Sequence, residues 1–230
     1  MLILEQFHDK REALERVRQA LEQDPRSPDA LRLKILLEGL PPRAMALQLK
    51  TLVEQLESGG ACGPPLLRAL LALARTLEQC GKGKDAVPVY ERALRSSPED
   101  ALEIRHHLAR CLLDLRRLKE LEELLERFHE EPSALTAWIR LLELQKSGEQ
   151  SGLEQALEEA RRANAHVEDF LTSRCRIPRH RHCQESGAPG SEEEALHVLD
   201  LIGEAWFSDR AALSWLMTRT SSNRAGGPSV

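Results

Sequence analysis

The chain has 230 residues, 41% of them apolar, and its 32 basic and 37 acidic side chains leave a formal charge of −5. The charges are interspersed with no dominant basic segment, so specific nucleic-acid binding is not expected. No apolar run approaches the roughly 20 residues that span a bilayer, and Glu5 follows Leu2, Ile3 and Leu4 at once, against a cleavable signal peptide.

Ala13-x3-Val17-x2-Ala20-x4-Pro25 opens the chain with two small residues flanking a larger one. Counting back from Ala13 by the interval that separates Ala86 from Ala74 lands on Met1. The first helix is therefore expected to lack its opening turns, as in a late start or a piece of a longer repeat protein. Leu14, Val17 and Leu21 would then be short of partner surface, which predicts self-association through the N-terminal helix. Ser27 and Asp29 suit a helix start before Ala30 to Glu38, and Pro41 and Pro42 mark another before Arg43 to Glu57. Residues 58–65 are a Gly/Pro-rich loop.

Helix pairs are predicted at 66–80 with 84–96, 100–115 with 118–129, and 133–146 with 150–163. The pair around Tyr90 carries the sharpest pattern: Ala74, then Ala86-x3-Tyr90-x2-Ala93-x4-Pro98. Small residues let two helices approach, and the bulky one plugs the groove between them. At intervals of about 35 residues the pattern recurs with Ala109, Leu125, Phe128 and Pro132, and again with Leu144, Ala156, Ala160 and Ala163. This resembles the tetratricopeptide repeat and implies an all-α helical-hairpin solenoid over 1–163, stabilised by burial between neighbouring repeats.

Beyond Ala163 the pattern stops. Residues 174–190 read as a basic loop, Ser191 and Glu194 as a capping box before a helix from Glu192 to Trp206, Asp209 as the cap of a final helix, and 220–230 as a disordered tail. The order Asn164-Ala165-His166-Val167, Phe170-Leu171, a Pro178 loop, Gly190-Ser191-Glu192-Glu193-Glu194-Ala195, Trp206 and Ala211-Ala212-Leu213-Ser214-Trp215-Leu216 is similar to the C-terminal module of the suppressor-of-tumorigenicity family. The resemblance spans about residues 100–217 and implies a helical module over 164–219 that caps the last repeat, with an interaction role and no catalytic residues. Ala165 replaces the family's proline here, and the loop from Arg176 to Cys183 is more basic than the family's.

Chemistry-bearing candidates are few. Cys175, His180, His182 and Cys183 form the one group with a zinc-like inventory, but their crowding and the adjacent Arg176, Arg179 and Arg181 favour a basic loop without metal. Weak zinc or nucleic-acid binding by 174–183 and an undetected enzyme are the alternatives to the main reading. His106 and His107 point about 100° apart on one helix and read as a solvated face. So does the acidic run Glu120, Glu122, Glu123 and Glu126. No catalytic residue and no cofactor is expected. A carboxylate clamp of the chaperone-binding kind needs Lys, Asn and Arg on successive first helices; of the inner-face residues Leu67, Leu71, Arg75, Glu103 and His107, only Arg75 fits. Five irregularly spaced cysteines favour free thiols and a cytoplasmic location. The expected function is a non-catalytic scaffold or adaptor that binds another protein, as a peptide or partner helix, on the solenoid surface.

Overall fold

The computed structural model describes residues 10–97, 100, 102–128, 133–177 and 187–225, with side chains described as far as residue 220. Pro98 and Pro132 of the repeat pattern lie outside the described residues, as do residues 1–9 and 226–230. Among the described residues the chain is all-α, with twelve helices and no strand. The first six are α1 (Lys10–Gln23), α2 (Pro28–Leu37), α3 (Pro42–Ser58), α4 (Pro64–Gln79), α5 (Gly83–Arg95) and α6 (Ile104–Asp114). Then follow α7 (Leu118–Arg127), α8 (Ala134–Ser147), α9 (Leu153–Ala163), α10 (His166–Leu171), α11 (Glu192–Ser208) and α12 (Arg210–Ala225). They fall into two compact units, Met1–Cys111 and Leu112–Val230.

In the first unit, α2, α3 and α4 each begin on a proline, whose fixed φ suits the first turn and whose missing N–H would have had no partner there. Gly63 precedes α4 at φ +77, a conformation that residues with a Cβ adopt only at a cost. The α4–α5 hairpin is the tightest part of the unit. Ala69, Ala74, Ala86 and Ala93 are fully buried, and Tyr90 is buried with them. With no bulk at these positions the helices close up until the Tyr90 ring fills what remains. Ala86→Leu or Ala93→Leu is therefore expected to cost about 1–3 kcal/mol by overpacking, read as a lower urea midpoint; an unchanged midpoint would contradict this register.

α1 packs on α2 through a cluster of Ala13, Val17, Leu33 and Leu37, with Leu14 and Leu21 partly covered beside it. Val17, expected to be short of partner surface, is only 4% exposed. Ala20 is half-buried. α6 starts four residues later than the sequence suggests. Asp100, buried at φ +45, accepts hydrogen bonds from the N–H groups of Ile104 (2.6 Å) and Arg105 (3.1 Å). Its carboxylate thus caps the first turn and does not belong to it.

In the second unit, α8 is the central element, in contact with α7, α9, α11 and α12. Covered on several sides, it buries Leu135, Trp138, Ile139, Leu141 and Leu142 around its circumference. Ser133 and Thr136 form its capping box: Ser133 Oγ accepts from Thr136 N at 3.2 Å, and Thr136 Oγ1 accepts from Ser133 N at 3.0 Å. Trp206 of α11 meets Trp138 edge to face, 5.9 Å between centroids and 68° between planes. Asp209 caps α12 through Ala212 N (3.0 Å) and pairs with Lys146 Nζ (3.1 Å). α12 runs to Ala225, past Thr220 where the tail was expected to begin. Among the described residues no helix is long and apolar enough to cross a membrane.

Candidate functional site

A groove of about 820 Å³ opens in the first unit. Asp29, Arg32, Leu33 and Leu36 of α2 form one wall, and Arg68, Leu71, Ala72, Arg75, Thr76 and Gln79 of α4 form another. Met45 of α3 and the residues Leu102, Glu103 and His107 at the start of α6 complete it. The helical period places these side chains on one face of each helix, with intervals of three and four residues. Leu71, Arg75, Glu103 and His107 were expected on an inner face and line this groove; Leu67 instead faces the core, 6% exposed.

Arg32 and Arg68 escaped the sequence reading. Arg68 donates from Nε to Asp29 Oδ1 at 2.9 Å and from Nη2 to Asp29 Oδ2 at 2.5 Å. Arg32 donates to the same carboxylate from Nε and Nη2, both at 3.4 Å. One carboxylate therefore aligns two guanidiniums. Arg32 is buried, and that burial, opposed by the Asp29 charge, lowers its pKa. The signal in the sequence was the interval Asp29-x2-Arg32 with Pro28 starting the helix; what was missing was the long-range pairing with Arg68.

Behind the groove lies a polar cluster organised by Glu78. Its Oε2 accepts from the Tyr90 hydroxyl at 2.5 Å and its Oε1 from Arg110 Nη2 at 2.6 Å. Burial and Glu78 push the Tyr90 phenol well above its ordinary value. The Tyr90 ring stacks on His107, centroids 6.2 Å apart and planes 10° apart. His106 is buried and His107 half-buried, so the solvated face expected of them is corrected. A neutral imidazole loses far less on desolvation than a charged one, which suits His107 to its half-buried place on α6. Burial first, then the charges of Arg75 and Arg110, lower His107 to about 3.

This shift gives a signed prediction. The unfolded chain protonates His107 near its ordinary value, whereas the fold holds it neutral, so stability falls as the pH drops below about 6.5 and keeps falling toward the folded value. Between pH 6.5 and 5 the loss should reach about 2 kcal/mol, at roughly 1.4 kcal/mol per pH unit. Urea melts at the two pH values measure it. His107→Leu should flatten the difference, and an equal slope in both proteins would remove His107 as its source.

In the second unit the Asn164-Ala165-His166-Val167 segment forms a junction. Asn164, 2% exposed, donates from Nδ2 to Ser191 O (2.8 Å) and Glu194 Oε2 (2.9 Å). Its Oδ1 accepts from His166 N at 3.0 Å, and its backbone oxygen accepts from Trp138 Nε1 at 3.1 Å. Ser191 Oγ caps α11 by accepting from Glu194 N at 3.1 Å. The returning arm of the expected capping box goes elsewhere: Glu194 Oε2 accepts from Gly190 N at 2.7 Å, while Ser191 N donates to Ala188 O.

A second network fixes α12. Glu168 is buried and accepts from Arg161 Nε (2.6 Å) and Nη2 (2.8 Å) and from Thr220 Oγ1 (2.5 Å). Burial alone would raise its pKa, but these bonds and the charges of Arg161 and Arg174 outweigh it and hold the carboxyl below its ordinary value. Arg174 also donates to Thr220 O at 2.8 Å and pairs with Asp169 at 3.5 Å. One arginine of the basic loop is thus engaged within the unit.

Of the remaining repeat residues, Ala109, Ala156 and Ala160 are buried, and Leu125, Phe128 and Ala163 are half-buried. Glu122, Glu123 and Glu126 are exposed, and Glu120 pairs with Arg117. Of the zinc candidates, Cys175 is half-buried, and His180, His182 and Cys183 lie outside the described residues. No group of three or more potential metal ligands occurs among the described residues. Cys62, Cys80, Cys111 and Cys175 form no disulfide with one another.

The tetratricopeptide-repeat family model matches residues 67–111, the stretch holding Leu71, Arg75, Tyr90 and His107. Repeats of this family generally mediate protein–protein interaction and are typically non-catalytic. Among curated proteins the chain has no match.

Proposed function

We propose that the chain is a non-catalytic interaction scaffold or adaptor whose groove in the first unit holds a peptide or partner helix. The observation that carries this reading is the groove itself: a concavity with Leu36, Leu71 and Ala72 open beside oriented guanidiniums, one wall of it within the matched residues 67–111. Concave, largely apolar sites with a few placed polar groups are where ligands gain most from desolvation. A photo-crosslinking amino acid at Leu71 should capture a discrete partner in cells of origin, and Ala72→Arg should abolish that capture. Equal capture from the exposed Leu47 on α3 would sink the assignment.

The division into repeats over 1–163 and a capping module over 164–219 belongs to the same reading. The junction at Asn164 supports it, because it joins the end of α9 to the start of α11 where the expected capping module begins. Self-association through α1 rests on Leu14 and Leu21, which stay partly covered; sedimentation equilibrium of the full chain tests it.

A further inference from the structure

The groove has an excess of positive charge at a place where charge is expensive. Asp29 serves both Arg32 and Arg68, so one carboxylate faces two guanidiniums, and Arg32 is only 7% exposed. Arg75, which has interactions of its own, lies on the same wall. Among the described residues Glu103 is the other acid in the lining, and its side chain is 52% exposed, where solvent weakens its field. All this sits in a chain whose net charge is −5, so the local sign runs against the global one.

Arg68 has donors to spare. A guanidinium carries five N–H groups, Asp29 takes two of them, and the side chain remains 39% exposed toward the groove. Asp29 also fixes the plane of that guanidinium, so a ligand oxygen meets a donor set already oriented. On either side the surface is aliphatic, with Leu33 and Leu36 from α2 and Leu71 from α4.

Resting on the interaction reading above, we propose that the groove selects a partner segment carrying an Asp or Glu side chain between aliphatic residues, the carboxylate bonding to Arg68 and the aliphatic side chains seating on Leu36 and Leu71. The carboxylate completes the charge balance that Asp29 leaves unfinished. Amino acids that place a cation there are rejected by the same arginines.

A display library of random 12-residue peptides, fused at the C-terminus so that only side-chain carboxylates are offered, is selected on the full chain and counter-selected on Ala72→Arg. The expected consensus has one acidic position flanked by Leu, Ile, Val or Met. Replacing that residue by Gln or Asn in a synthetic, C-terminally amidated peptide should weaken binding by about 10- to 100-fold, the range for one charge-assisted hydrogen bond. Raising the salt should weaken the acidic peptide more than its amide counterpart. Arg68→Ala should erase the difference between the two peptides, and circular dichroism melts check that this variant folds. Selected peptides without an acidic preference, or with full affinity after the amide substitution, would overturn the carboxylate proposal while leaving the groove as a binding site. Tight binding of a neutral peptide only when its C-terminus is free would assign the carboxylate to a chain end and overturn it as well. Failure to select any peptide over the blocked variant would overturn the groove assignment and the proposal together.

Discussion

Trp138→Ala should lower the stability of the second unit by about 3–5 kcal/mol, among the largest effects expected from any single change in the chain. The ring is fully buried on the central helix α8, so truncation opens a cavity that four neighbouring helices cannot all close. A finer comparison separates the two tryptophans that meet edge to face. Trp138 Nε1 donates to Asn164 O, whereas Trp206 Nε1 is buried and has no hydrogen-bond partner among the described residues. Trp138→Phe therefore removes volume and strands a carbonyl, but Trp206→Phe removes volume and relieves an unpaired donor. The first should be the more destabilising by about 1–3 kcal/mol, the size of an unmade buried hydrogen bond. Urea denaturation of the two variants decides it; equal midpoints would show that the Asn164 contact contributes nothing.

Glu168→Ala should cost about 3–5 kcal/mol, because it leaves the Arg161 guanidinium without its carboxylate, while the Thr220 hydroxyl keeps only Leu216 O as its acceptor. Removing both charges is a different matter. The double variant Glu168→Leu with Arg161→Met should recover a large part of the loss, since a buried ion pair and a well-packed apolar pair are close in energy. The local effect is as informative as the global one. α12 is tied down at its far turn by Thr220, so amide exchange across 210–220 should accelerate in Glu168→Ala more than exchange in α8. Uniform acceleration would mean that Glu168 supports the whole unit and does not act as a latch for α12. The carboxyl is held below its ordinary value, so its contribution is complete above the usual glutamate range and is lost as the pH falls through the lowered value. That window overlaps the lower part of the one in which His107 acts, so the Glu168 contribution is read by repeating the titration in His107→Leu.

Much of the helical framework was legible because its signals are short-range. Proline at Pro42, and the Ala86–Tyr90–Ala93 spacing, specify a helix start and a close-packed pair without reference to anything distant, whereas Pro64 and Pro65, read with the preceding loop, open α4. The start of α6 was misplaced because Asp100 is a good helix-start residue whether it lies inside or just before the first turn, and only the backbone shows which. The box at Ser133 was missed because threonine, not glutamate, returns the second bond. Errors of a different kind arose at the groove. Histidine and arginine normally mark solvent, and His107 and Arg68 are assigned elsewhere only by partners 17 and 39 positions away, Tyr90 for the first and Asp29 for the second. A pattern read along one helix does not contain those pairs.

Asn164 shows how narrow such a junction can be. Its amide nitrogen has two hydrogens and both are in use, one on a carbonyl and one on a carboxylate, while its oxygen takes the third bond. Aspartate has the same outline and differs by one heavy atom. In that position it would keep the bond from His166 and turn an acceptor toward Ser191 O and a negative charge toward Glu194. Size and shape are preserved, yet two of three links reverse from attraction to repulsion. At this point in the chain, tolerance of change is set by the count of hydrogens on one nitrogen.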